Sequence, residues 1–178
     1  MTGGPARDAY VGLGSNLGDR EATLRAAVER LALLPGTRVV RVSSLHETAP
    51  AGGPPGQPPY LNAAARLETA LGARRLLDEL LAVERALGRV RGPERNGPRT
   101  IDLDLLLYAD EIVREGESCV VPHPRLAERA FVLAPLAEIA PRVVVPGTPA
   151  GETVAALLAR ADRSGLLGVL PFPLAAAT

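Results

Sequence analysis

The sequence predicts an α+β domain: a mainly antiparallel sheet with helices packed on it. Three observations lead there. Short apolar runs bounded by turn residues read as strands, two longer stretches carry apolar residues at helical spacing, and the two kinds of segment alternate in a particular order.

Residues 9–14 (AYVGLG) read as a short buried strand. The NLGD segment, 16–19, is a turn ending on a helix N-cap. Residues 21–34 then place Leu24, Ala27, Val28, Leu31 and Leu34 at helical spacing, and Pro35-Gly36 stops that helix. Residues 37–44 (TRVVRVSS) form a strand. The Pro/Gly-rich stretch 49–59 is loop, because that composition suits neither a helix nor a central strand. Residues 60–69 (YLNAAARLET) are the next strand. Residues 74–87 form a second amphipathic helix with Leu77, Leu80, Leu81, Ala82 and Leu87 as its apolar set, capped by Gly88.

A second loop, 89–98 (RVRGPERNGP), leads into the strand 100–108 (TIDLDLLLY), with 111–114 expected to pair back against it. Residues 126–139 are a third helical segment with a break expected at Pro135. Residues 143–145 are a short strand and 154–160 a last helix. The order strand, helix, strand, strand, helix, strand is that of a ferredoxin-like unit, and it places the helices on one face of the sheet. The chain has 178 residues, enough for one core. We expect a single domain over 9–170, with 1–8 an N-terminal extension and 171–178 a C-terminal tail.

Composition excludes several functions. The formal net charge is zero, so no global field favours nucleic acid or membrane. No stretch is apolar and long enough to span a bilayer, and the N-terminus has no secretory h-region. A cytoplasmic, monomeric protein is expected. Cys119 stands alone and reads as a packing residue. There is no lysine: all twenty basic side chains are arginine, which excludes a P-loop and a kinase-type strand lysine. Phosphate handling would fall to arginine, whose planar fork donates two parallel hydrogen bonds.

The strongest chemical signal is Asp102-Leu103-Asp104. On a strand, alternate residues share a face, so the two carboxylates point the same way. Two neighbouring carboxylates repel and favour a shared cation. Magnesium suits them, since it takes one or two carboxylates plus phosphate oxygens and water. Just upstream, Arg85, Arg89, Arg91, Arg95 and Arg99 fall within fifteen positions, where the chain average predicts fewer than two. A basic loop feeding an acidic strand suits a metal-bound polyphosphate. RNA is the competing reading of that loop, but no aromatic interrupts it to stack a base.

Aromatics are scarce, with three Tyr, two Phe and no Trp. Tyr60 opens a strand just after the Pro-rich loop, Asn62 shares its face, and Phe131 follows a polar loop; together they could hold and read a planar ring. His46 and His123 are too far apart in sequence to suggest zinc. His123, between two prolines, reads equally well as a phosphate donor or a structural residue. The GLGSNLGD stretch has the look of a phosphate-cradling glycine loop but lacks the G-x-G-x-x-G spacing.

The blocks YVGLGSNLGDR, SSLHETAP, QPPYLNAAARLET, RVRGPERNGPRTIDLDLLLY and VPHPRLAERAFVLAPLAEIAP occur in that order between Ala9 and Pro141. In them the chain resembles the 6-hydroxymethyl-7,8-dihydropterin pyrophosphokinases of folate biosynthesis. The resemblance implies transfer of the pyrophosphoryl group of ATP to the pterin hydroxymethyl group. It implies Asp102 and Asp104 as ligands of two magnesium ions, and Arg89, Arg91, Arg95 and Arg99 as loop arginines of the catalytic step. Glu84, His123, Arg129 and again Arg99 fall on the nucleotide side. Thr48, Tyr60, Asn62 and Phe131 fall in the pterin pocket. Asn96 stands where some members carry Trp, Ala51 where some carry Leu, and Pro124 where some carry an aromatic. Two rivals remain open on the residues alone: a metal-dependent nucleotide hydrolase and a non-catalytic nucleotide-binding regulator.

Overall fold

Strand β1 (Arg7–Ser15) is apolar on both faces, and a strand of that kind must be covered on both sides. Ala9, Val11 and Leu13 point one way into a core with Leu24, Leu31, Leu76 and Leu80. Tyr10 points the other way, into a second core with Ala64, Leu106, Leu133, Leu136, Val154 and Leu157. Helices therefore cover both faces, which corrects the expectation of one. The apolar residues of the C-terminal third form the second layer.

The computed structural model describes residues 4–92 and 96–172. After β1 come α1 (Arg20–Ala32), β2 (Thr37–Val42), β3 (Leu45–Thr48), β4 (Tyr60–Thr69), α2 (Ala73–Ala86) and β5 (Asp102–Tyr108). Then follow β6 (Val113–Glu115), β7 (Cys119–Val121), a 3-10 turn at Leu126–Glu128, α3 (Ala130–Ile139), α4 (Val154–Arg160) and β8 (Leu166–Leu170). The main sheet runs β5-β1-β4-β3-β8, with β2 also paired to β4, and its described pairings are antiparallel. This is the ferredoxin-like order with one added edge strand. The Asp19 side chain caps α1 by accepting from the Ala22 N–H at 3.0 Å. No helix among the described residues is long and apolar enough to cross a membrane.

Several elements differ from expectation for identifiable reasons. The strand expected over 37–44 stops at Val42 and resumes as β3. Between them, the Ser43 hydroxyl accepts from the Ala64 N–H at 2.9 Å, so a side chain replaces a ladder carbonyl. Strand β8 escaped the sequence reading because only pairing with β3 defines it. Strand β6 pairs with β7 rather than with β5. Residues 143–145 contribute an isolated bridge, Val144 to Thr153. The third helical segment breaks at Arg129, whose backbone is extended (φ −109°, ψ 93°), while Pro135 lies inside α3. In α2 the buried face is Ala73, Leu76, Leu80 and Val83. Of the five residues expected there, Leu80 is fully buried and the others are half-buried. Strand β1 begins inside the expected extension, and Phe172, inside the expected tail, is buried in the first core.

Candidate active site

Gly12 and Gly14 of β1 form the floor of a cleft between the sheet and α3. The register sets the cross-strand rows: Asp102, Gly14 and Asn62 stand in one, Asp104, Gly12 and Ala64 in the next. The missing side chains open a trough from the carboxylates of β5 to the polar and aromatic residues of β4. A Cβ at Gly14 would lie 2.9 Å from the Asn62 Oδ1, so only glycine leaves that amide in place. The GLG segment is thus a strip of strand and not a phosphate-cradling loop.

At the β5 end, Arg99 donates to Asp102 Oδ2 at 2.8 Å, and Arg89 donates to Asp102 Oδ1. Enclosure by protein would raise the Asp102 carboxyl, but Arg99 and Arg89 outweigh it and hold it below the usual carboxylate range. Asp104 has weaker support, with Arg129 4.0 Å away. Burial first, and then repulsion from Asp102, pushes its carboxyl up to about 7. An additional cation on this face would relieve that repulsion. Each carboxylate oxygen carries two lone pairs, so Asp102 can keep its arginines and still accept more. Among the described residues no three His, Cys, Asp or Glu side chains gather as a metal cage. A pair of carboxylates suits magnesium that completes its shell with phosphate and water.

Behind the strand, Glu84 is 2% exposed. Its Oε1 accepts from the Leu103 N–H at 2.7 Å and from Arg89 at 2.6 Å. Burial raises its carboxyl despite these contacts. Glu84 thereby ties α2 to the backbone between the two aspartates. Arg89, its side chain 11% exposed, bridges Glu84 and Asp102 from beneath. Arg91, 67% exposed, reaches Glu84 only at 3.5 Å. Arg95 lies outside the described residues.

At the β4 end, the Asn62 amide donates to the Thr48 hydroxyl at 2.7 Å, which sets the amide's orientation. Tyr60 and Phe131 line the same cleft. The Arg129 guanidinium sits 5.6 Å from the Phe131 ring centroid. His123 lies beside the cleft without lining it. Burial and the nearby Arg129 lower its ring to about 4, so it is neutral at pH 7.

Nothing in the sequence singled out Asn16, read there only as part of a turn. It is buried and joins both loops. Its side chain accepts from the Arg99 N–H at 2.8 Å and donates to Gln57 Oε1 at 3.3 Å. Gln57 in turn donates to the Asn96 carbonyl at 3.0 Å. At this crossing Gly53 has φ +88°, and a Cβ there would fall 2.1 Å from the Asn96 carbonyl oxygen. Thus Thr48, Tyr60, Asn62, Arg99, Asp102, Asp104, Arg129 and Phe131 share one cleft, whereas Arg89 joins it through the Asp102 carboxylate and Glu84 through Arg89 and the Leu103 N–H. Arg125 also lines it, unforeseen.

A trough with acidic and basic groups at one end and flat rings at the other is built for a transferase moving a phosphoryl group onto a planar acceptor. Residues 10–141 match the family described as 7,8-dihydro-6-hydroxymethylpterin-pyrophosphokinase (HPPK), and the chain belongs to that family. A relative from Methylorubrum extorquens, 2-amino-4-hydroxy-6-hydroxymethyldihydropteridine pyrophosphokinase, is 50% identical over 89% of this chain and 96% of its own length. A Bacillus subtilis protein of the same name is 48% identical over 80% and 83%, respectively. Wild-type Plasmodium falciparum HPPK-DHPS shares the fold, with a TM-score of 0.65 at 10% identity. That alignment covers 87% of this chain and 44% of the longer one.

Proposed function

We propose that the two ends of the cleft divide the two substrates of the family's reaction between them. The chain is a pyrophosphokinase. It transfers the pyrophosphoryl group of ATP to the hydroxyl of 6-hydroxymethyl-7,8-dihydropterin, in folate biosynthesis. The pterin hydroxyl loses its proton to solvent as its oxygen bonds to the β-phosphorus, the bond from that phosphorus to the α,β-bridging oxygen breaks, and AMP leaves with the bridging oxygen. The observation that carries the division is the row Asp102, Gly14, Asn62, which sets a cation-seeking carboxylate and a ring-reading amide on either side of the glycine strand β1.

Asp102 and Asp104 would hold magnesium, two ions being expected. When bound, the metal neutralises charge on the polyphosphate. Arg99 and Arg129 flank the carboxylates and offer guanidinium donors to phosphate oxygens. Arg89, Arg91 and Arg95, which complete the catalytic arginine set that the resemblance implies, would add to them. His123, neutral, can donate a hydrogen bond without adding charge. Tyr60 and Phe131 take the pterin ring between them, Asn62 reads its edge, and Thr48 orients that amide. Closure of the loops around Gln57 and Asn96 excludes water, which otherwise competes as acceptor.

The direct test mixes protein, ATP, magnesium and 6-hydroxymethyl-7,8-dihydropterin and follows AMP and pterin pyrophosphate. Rapid AMP release without pterin would point instead to a nucleotide hydrolase.

Two variants probe the division. Phe131→Ala is expected to weaken pterin binding by about 1–3 kcal/mol through lost aromatic packing, and binding of an ATP analogue far less. Equal losses for both ligands in calorimetry would remove Phe131 from the pterin end. Gly53→Ala is expected to disfavour the closed loops by about 1–3 kcal/mol, from the left-handed backbone and the clash with Asn96. Its kcat/KM should fall while the thermal midpoint barely moves, since the loop can swing out without disturbing either core. An unaltered kcat/KM would mean that turnover does not need the Gly53–Asn96 contact.

A further inference from the structure

Arg125 lies at the cleft on a segment anchored by three hydrogen bonds. The His123 N–H donates to the Leu106 carbonyl of β5 at 2.9 Å. The Arg125 N–H donates to His123 Nδ1 at 3.1 Å, and the Leu126 N–H donates to the His123 carbonyl at 2.9 Å. The turn is thus fastened two residues along the strand from Asp104, and its arginine faces the same cleft as Arg99 and Arg129.

Charge distinguishes the three. Arg99 is committed to Asp102 at 2.8 Å, and Arg129 stands 4.0 Å from Asp104. Those two arginines offset the two aspartates. Arg125 is the surplus positive charge among the described residues of the lining. Its ion pair, with Glu128, is long at 3.6 Å, and the two side chains are 56% and 70% exposed. Such a pair holds a guanidinium loosely. The side chain can therefore turn to a stronger anion at little cost, and a phosphate offers a bidentate partner.

We propose that Arg125 is a nucleotide-binding residue of this enzyme that contacts the polyphosphate at the mouth of the cleft. The assignment rests on the polyphosphate reading of the carboxylate end. It adds a residue that the sequence blocks did not single out. The neighbouring ring of His123 stays neutral at pH 7, so Arg125 brings the charge that this turn presents to an anion.

The test uses the full chain, magnesium and α,β-methylene-ATP, whose carbon bridge replaces the oxygen of the scissile bond. Calorimetry on Arg125→Ala should show roughly tenfold weaker binding of the analogue, the size of one partly exposed charge-assisted hydrogen bond. Arg125→Glu should lose more, and Arg125→Lys should recover part of the loss because it keeps the charge but not the fork. Pterin affinity should stay at the wild-type value in all three. Analogue binding within about twofold of wild type in both Ala and Glu variants would overturn the assignment. So would an equal loss of pterin affinity, which would indicate damage to the cleft as a whole. Wild-type protein serves as the separate check on the underlying reading. If it binds the analogue and forms pterin pyrophosphate while the variants bind normally, Arg125 alone is excluded. If it does neither, the polyphosphate reading fails and Arg125 falls with it.

Discussion

Asp104→Ala is expected to abolish measurable turnover while leaving the protein folded. Asp104 stands on the floor of the cleft, and its carboxyl is raised to about 7 by burial and by Asp102. A group held that way adds little to the stability of the fold, so its removal should cost no more than about 0.5 kcal/mol. Its role is to take a cation and a polyphosphate. Removing one preorganised electrostatic partner of a transferring group costs roughly a hundredfold to a thousandfold in kcat. The loss of a metal ligand belongs at or beyond the upper end of that range.

Asp102→Ala should be equally inactive, yet it should also destabilise. Arg89 is mostly buried against Asp102 and Glu84, and it would lose one of its two partners. A cost of about 1–3 kcal/mol is expected for that partly unpaired buried cation. Comparing the two variants thus separates chemistry from support. Steady-state assays at saturating magnesium, beside urea unfolding, make the comparison. Wild-type turnover by Asp104→Ala would sink the metal assignment whatever the stability data say.

Glu84→Ala should be the most destabilising of these substitutions. The change strands the Leu103 N–H, which Glu84 accepts at 2.7 Å, and deprives Arg89 of a second contact. Breaking a buried ion pair by deleting one partner costs about 3–5 kcal/mol, because the other charge stays behind. Glu84→Gln should cost less, since the amide oxygen still accepts from Leu103. Activity should fall as well in the Ala variant, because Leu103 lies between the two aspartates and its backbone sets their spacing. Equilibrium unfolding at pH 7 reads the difference directly. A loss under about 1 kcal/mol for Glu84→Ala would mean that water replaces the carboxylate, and that Glu84 does not hold the strand.

The sequence by itself determined the alternation that puts Asp102 and Asp104 on one face. Strand geometry has a period of two, and Ile101, Leu103 and Leu105 mark the opposite face as core. It determined the ferredoxin-like order through the spacing of apolar residues, and the family through five ordered blocks. It also made arginine the only basic side chain that could meet a phosphate. Tyr60, Asn62 and Phe131 were legible as a group because aromatics are so few.

Tertiary structure alone decided the rest. That Arg89 bridges Glu84 and Asp102 depends on where α2 places Glu84, and local pattern carries no trace of that. Gly12 and Gly14 could have been a turn. They become a trough only because Asp104, Asp102 and Asn62 flank them in register. The second helical layer and β8 required partners distant in the chain, since an apolar run such as 166–170 becomes a strand only when β3 supplies its hydrogen bonds. Asn16, Gln57, Asn96 and Arg125 are ordinary polar residues in sequence. Their meaning comes from long-range contacts, which specify loops far more than local propensity does.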